Sequence, residues 1–137
     1  MPPCPSTSVS RLKQSLFAAA TFLFSACGLA GKPVPEISVQ ELKARRDQKE
    51  EFILLDVREP KEYSIARIDG SILIPLGALP ARLSELDKNT KLIVHCKGGV
   101  RSAKAVRLLS EKGYDAVNVA GGIDAWSISI DTSIPRY

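Results

Sequence analysis

The chain predicts an α/β fold, a mostly parallel sheet covered by helices on both faces. Three observations carry that expectation. Residues 52–55, Phe-Ile-Leu-Leu, form a short apolar run without the polar alternation of a half-exposed strand, as strands covered on both sides do, and residues 72–74, 92–94 and 117–119 give further strands. Helical patterns near residues 78–86 and 101–112 lie between them, and strands alternating with helices pair in parallel. With 137 residues, 45% hydrophobic and 25% charged, the chain can bury one core but hardly two.

The elements follow in chain order. Arg11 and Lys13 precede an apolar stretch over residues 16–26, and small residues follow at Cys27, Gly28, Ala30 and Gly31. This pattern predicts a secretory signal peptide in residues 1–30, since the apolar run is too short to span a membrane comfortably. Phe24-Ser25-Ala26-Cys27 also resembles a bacterial lipoprotein cleavage box with Phe in place of the usual leucine, which would make Cys27 a lipidated membrane attachment point. The expectation is an exported protein, periplasmic or membrane-anchored; a cytoplasmic domain behind an incidental leader is the alternative. Residues 31–36, containing Gly31-Lys32-Pro33-Val34-Pro35, have the composition of a short stiff linker, and residues 37–137 form the domain. Ser38 with Glu41 fits a capping box, predicting a helix from Val39 to about Asp47. Asp56 ends the strand at 52–55. The helix at 101–112 places Val106 and Leu109 at helical spacing, with Gly113 as its terminator. Trp126, after the paired glycines Gly121 and Gly122, reads as core packing with a position near the rim.

The stretch Leu92-Ile93-Val94-His95-Cys96-Lys97-Gly98-Gly99-Val100-Arg101-Ser102 concentrates the chemistry. A strand ends in a cysteine, and a short loop leads into a helix. Gly98 and Gly99 tolerate the dihedrals that turn successive N–H groups toward one point, so residues Lys97 through Ser102 predict an anion nest beneath a helix N-terminus. The helix dipole, with Lys97 and Arg101 nearby, favours a Cys96 thiolate and a lowered pKa. A buried cysteine serving only as a small hydrophobe is the plain alternative. A cysteine-dependent phosphatase loop is one residue longer than the four residues that separate Cys96 from Arg101 here, so the smaller pocket suits a single transferable sulfur atom.

Several chemistries are excluded. His95 is the one histidine and precedes Cys96 on a strand, where neighbours point to opposite faces, so the two form no nucleophile–base dyad and His95 is structural. The three cysteines show no C-x-x-C spacing, so no metal and no disulfide framework is expected, and no cofactor is implied. The net charge of +4 comes without a lysine–arginine run or basic–aromatic interleaving, which argues against nucleic acid.

The run Cys96-Lys97-Gly98-Gly99-Val100-Arg101-Ser102-Ala103 resembles the active loop of single-domain rhodaneses, sulfurtransferases that carry sulfur as a cysteine persulfide. Three further blocks are similar to that family in the same order: residues 54–63, with Asp56-Val57-Arg58; residues 68–76; and residues 119–126, ending at Trp126. Within the family the likeness is greatest to the C-terminal rhodanese domain of E1-like adenylyltransferase/sulfurtransferases of the molybdopterin-synthase type, including Ile134-Pro135-Arg136-Tyr137. Where the family usually has Gly-His-Ile, this chain has Ala66-Arg67-Ile68.

The resemblance implies a rhodanese-like three-layer fold and a thiosulfate sulfurtransferase activity. Cys96 would be the catalytic nucleophile, with a small-molecule sulfur donor and a thiol or protein acceptor. Lys97, Gly98, Gly99, Val100, Arg101 and Ser102 would bind the donor. Arg58 carries two readings: at the loop mouth it would help hold an anionic donor, as the resemblance implies, and otherwise it pairs with Asp56, Glu59 or Glu62 on the surface. Asp56 is expected to orient the site by hydrogen bonding. A slow or non-catalytic module that senses sulfur or binds a protein is the alternative.

Overall fold

Five strands, β1 (Glu36–Ile37), β2 (Ile53–Asp56), β3 (Ile72–Leu73), β4 (Leu92–His95) and β5 (Ala116–Val119), form one sheet in the order β1-β5-β4-β2-β3. Every neighbouring pair is parallel. Four helices, α1 (Val39–Asp47), α2 (Pro60–Ile65), α3 (Val100–Glu111) and α4 (Gly122–Ser129), and a 3₁₀ segment at Leu79–Glu85 connect them. This computed structural model describes residues 31–137; the expected signal peptide, with Cys4 and Cys27, lies outside the described residues.

The sheet divides the core in two, and consecutive strand residues go to opposite sides. Leu55, Val57, Leu92, Val94 and Cys96 join Ala105, Val106 and Leu109 of α3 and the 3₁₀ residue Leu79 on one side. Leu54, Ile93, Val117 and Val119 join Leu42 of α1 and Ile123 and Trp126 of α4 on the other. This is the expected three-layer arrangement, with continuous apolar strands because both faces are covered.

Local chemistry explains the helices. In α1 the Ser38 hydroxyl accepts the Glu41 N–H at 3.1 Å, so the predicted helix starts where its cap stands. Helix α3 buries Ser102, Ala105, Val106 and Leu109, one stripe at helical spacing.

Three elements went unforeseen. Strand β1 starts at Glu36, the last residue assigned to the linker, and the preceding Pro35 carbonyl accepts the Asn118 N–H at 2.9 Å. Two residues are too few for a periodic signal. Helix α2 is one and a half turns long, but its start is written locally: Pro60 stands at the first helical position, and Glu59 and Glu62 form a capping box. Helix α4 follows β5 almost without a loop. The segment at 78–86, expected as helical, is 3₁₀, a form suited to short connectors in which i→i+3 bonds such as Leu86 N–H to Leu83 carbonyl close the turn.

Leu109 is wholly buried against β4 and β5, whereas Ile128 on α4 is 56% exposed. Leu109→Ala should therefore destabilise the fold by about 2–5 kcal/mol, and Ile128→Ala by less than about 0.5 kcal/mol. Denaturant midpoints of the two variants check the contrast; equal shifts would contradict this placement of the core.

Candidate active site

Strand order brings the two predicted site segments together. Asp56 ends β2 directly beside His95, which ends β4, so Asp56-Val57-Arg58 and the Cys96 loop leave the sheet side by side at its C-terminal edge. Open parallel sheets place ligand sites at that edge.

The loop is held from behind. The Cys96 carbonyl accepts the Ile123 N–H at 2.9 Å, and the Lys97 carbonyl accepts the Asp124 N–H at 3.1 Å. These donors are in the first turn of α4, where backbone N–H groups have no partner inside the helix. With two carbonyls turned back, the N–H groups that follow face the sulfur. Gly99 donates to Cys96 Sγ at 3.1 Å from a left-handed φ of 104°, a conformation glycine adopts without steric cost. The Ser102 hydroxyl donates from 3.3 Å. The close packing depends on Gly122: a Cβ there would stand 2.5 Å from the Lys97 carbonyl oxygen.

Cys96 is 1% exposed. Burial pushes its thiol pKa up, but hydrogen bonds from the Ser102 side chain and from the N–H groups of Ser102, Gly99 and Gly98 outweigh that, and the net shift is downward. The expected nest is therefore present, built by donors that converge on the sulfur.

The cations are arranged differently from expectation. Lys97 Nζ lies 3.0 Å from Asp124 and over the Tyr137 ring at 4.7 Å. Arg101 forms a bidentate pair with Glu62, NH1 to Oε2 at 2.6 Å and NH2 to Oε1 at 2.8 Å. The Glu62 carboxyl is drawn down to about 2, first by that hydrogen bond and against its own desolvation, then by the Glu59 N–H, the Arg101 charge and the Tyr137 hydroxyl.

Arg58 is fully buried and does not stand at the surface. Its guanidinium donates to Asp56 at 3.0 and 2.6 Å, to the Ala66 carbonyl at 2.7 Å and to the Tyr137 hydroxyl at 2.5 Å. Of the partners expected for Arg58 it takes Asp56, but as a buried pair and not at the surface. The Asp56 partner accepts the Arg58 N–H as well, at 3.0 Å, and so shapes the turn after β2.

His95 is also buried. Its Nδ1 lies 3.3 Å from the Cys96 carbonyl oxygen and its Nε2 lies 3.7 Å from Asp56 Oδ2. Burial lowers the His95 pKa, with Asp56 acting against it, and keeps the ring neutral. Its neighbours are the Cys96 carbonyl and the Asp56 carboxylate, and no hydrogen bond joins it to the Cys96 sulfur.

Sequence reasoning missed Glu62, Asp124 and Tyr137 as site neighbours. The capping box that orients Glu62 was readable in Glu59-Pro60-Lys61-Glu62, but its pairing with Arg101, far along the chain, had no local signal.

A family model described as the rhodanese-like domain matches residues 38–129. The chain is 37% identical over 93 residues to a protein named putative sulfurtransferase YtwF from Bacillus subtilis (strain 168), covering 68% of this chain and 90% of that one. It is 36% identical over 104 residues to the probable adenylyltransferase/sulfurtransferase MoeZ of Mycobacterium tuberculosis (strain ATCC 25618 / H37Rv), covering 74% of this chain and 26% of that protein. The crystal structure of a rhodanese-like domain protein from Staphylococcus aureus superposes with a TM-score of 0.67 and 36% identity, covering 75% of this chain and 98% of that one.

Two consequences are measurable. Ser102→Ala removes the side-chain hydrogen bond that does most to offset burial at Cys96, so the pH profile of Cys96 alkylation should move upward; an unmoved profile would show that the hydroxyl does not stabilise the thiolate. Glu62 titrates near 2 when folded and in the ordinary carboxylate range when unfolded, so its contribution is complete above about pH 4.3 and is lost as pH falls toward 2. Acid denaturation of Glu62→Gln should accordingly show a shallower loss of stability in that window than the parent protein.

Proposed function

We infer that this chain, which belongs to the rhodanese-like domain family and is a sulfur transferase of it, moves a sulfane sulfur from a small donor such as thiosulfate to a nucleophilic acceptor through a persulfide on Cys96. One observation carries the mechanism: hydrogen-bond donors from Gly99 and Ser102 converge on Sγ itself, in a loop whose carbonyls are pinned away from it. Such a site stabilises negative charge on sulfur before substrate arrives.

The reaction is a double displacement. The Cys96 thiolate attacks the outer sulfur of thiosulfate; a new S–S bond forms, the donor's S–S bond breaks, and sulfite leaves with its electron pair. The persulfide's terminal sulfur then stands about 2 Å beyond Sγ, toward the loop mouth. An acceptor thiolate attacks that sulfur, and the Cys96 thiolate is released to its original hydrogen bonds. The Lys97 through Ser102 backbone supplies the charge stabilisation, Asp56 and Arg58 hold the adjoining turn, and the hydrogen bonds that lower the Cys96 pKa favour the nucleophilic thiolate.

The pattern in residues 1–30 supports export as part of this proposal, with an acceptor met outside the cytoplasm. Among the described residues no helix is long and apolar enough to cross a membrane.

Mass spectrometry after thiosulfate treatment should find one added sulfur on the parent protein, at Cys96, and none on Cys96→Ser. A parent protein that gains no sulfur from any of several sulfane donors would overturn the proposal.

A further inference from the structure

Two cations beside the loop have no counter-charge. Lys104 and Arg107 stand on successive turns of α3, both exposed, and among the described residues no carboxylate lies within ion-pair distance of either. The cations nearer the sulfur are paired, Lys97 with Asp124 and Arg101 with Glu62. Val100, 69% exposed, belongs to the same stripe, since residues i, i+4 and i+7 share one face of a helix. It follows Gly99, whose N–H donates to the Cys96 sulfur. The stripe therefore leads about 10 Å along α3 from the loop to Arg107.

The same three residues wall a cavity of about 400 Å³. Helix α3 packs on β4 and β5, and a groove opens between it and the edge strand β1, closed at the loop end by Gly99 and Gly121. Glu36 of β1 is the one acidic side chain in the lining, so the lining is net positive, and its carboxylate accepts from Asn118 Nδ2 at 3.4 Å. The chain holds no acidic residue before Glu36, so its own N-terminal segment offers Lys104 and Arg107 no counter-charge. A small thiol in contact with Cys96 does not extend to them either.

Resting on the sulfur-transfer proposal above, we infer that the face of α3 formed by Val100, Lys104 and Arg107, with the groove beside it, docks the sulfur acceptor, a protein whose reactive thiol adjoins an acidic extended segment. Val100 supplies apolar contact next to the loop, and the two cations take the acidic side chains further along. In the step so aligned, the acceptor thiolate attacks the outer sulfur of the Cys96 persulfide. The persulfide S–S bond breaks, Cys96 leaves as a thiolate, and the acceptor becomes a persulfide that keeps the proton or loses it to water.

The probes are two acetylated, amidated pentapeptides with cysteine first, then two serines, then either two glutamates or two lysines; three extended residues span the same distance of about 10 Å. Sulfur transfer from the Cys96 persulfide to each peptide and to mercaptoethanol is followed by quenched mass spectrometry, and each peptide rate constant is divided by that of mercaptoethanol. In Lys104→Glu/Arg107→Glu the ratio should fall about fivefold for the glutamate peptide and rise about fivefold for the lysine peptide, both changes shrinking with added salt. A damaged fold would not exchange the two preferences. Equal changes with both peptides, or no change, overturn the docking assignment. A second measurement serves if the variant does not fold: on the parent protein, the glutamate peptide with serine in place of cysteine should shift backbone amide resonances centred on Val100, Lys104 and Arg107. Shifts centred elsewhere, none at millimolar peptide, or equal shifts with the lysine peptide overturn it. So do shifts at these residues that depend on protein concentration without peptide, which would assign the face to a second copy of the chain. A parent protein whose Cys96 takes up no sulfur overturns the sulfur-transfer proposal, and the resonance shifts still test the groove.

Discussion

The site depends on where two carbonyl oxygens point. Cys96 and Lys97 direct theirs to the Ile123 and Asp124 N–H groups at the start of α4, and the peptide groups that follow must then direct N–H toward the sulfur. Helix α4 thereby satisfies two of its own unpaired donors while shaping the nest. The arrangement requires helix and loop backbones in contact, which is why position 122 admits no side chain. A nest built by the loop alone would have to hold its dihedrals without support. Here the geometry is imposed from the second core layer, through a helix anchored by Ile123 and Trp126.

A second constraint lies beneath the loop, where ionised groups are buried together. Asp56 and Arg58 are both fully buried, so neither survives without the other: removing one member of such a pair costs about 3–5 kcal/mol because the remaining charge is left unpaired. Arg58 spreads its donors over Asp56, the Ala66 carbonyl and Tyr137, linking the end of β2 to the segment after α2. Tyr137 continues the network to Glu62, and Glu62 to Arg101 in α3. The loop is therefore tied at its two ends by different means, through α4 at Cys96 and Lys97 and through α2 at Arg101.

The sequence disclosed whatever depends on neighbours along the chain. The strands at 52–55 and 92–94 were readable because unbroken apolar runs imply two covered faces, and α1 because Ser38 and Glu41 cap it. The convergence of loop donors on Cys96 followed from paired glycines before a helix. Pairings across the fold were not readable. Arg101 looked like a free cation beside the thiol because nothing local marks Glu62 as its partner, and Arg58 looked like a surface group because arginine is seldom wholly buried. Asp56, two residues away, was among the partners expected for Arg58, whereas Glu62 lies 39 residues from Arg101 and left no local sign.

Loop length and donor direction together favour sulfur over phosphate chemistry. A phosphoryl enzyme must surround oxygen atoms standing well outside its cysteine, so its N–H groups have to encircle a volume beyond the sulfur. In this loop the Gly99 N–H and Ser102 hydroxyl close on Sγ, with only Lys97, Gly98 and Gly99 between Cys96 and the first residue of α3. In the proposed reaction the charge stabilised is the one on the cysteine sulfur, which is present in the thiolate and regenerated when an acceptor removes the terminal sulfur of a persulfide. Lys97 and Arg101 are held by Asp124 and Glu62, so the groups that touch the sulfur are the Gly99 N–H and the Ser102 hydroxyl and not a cation.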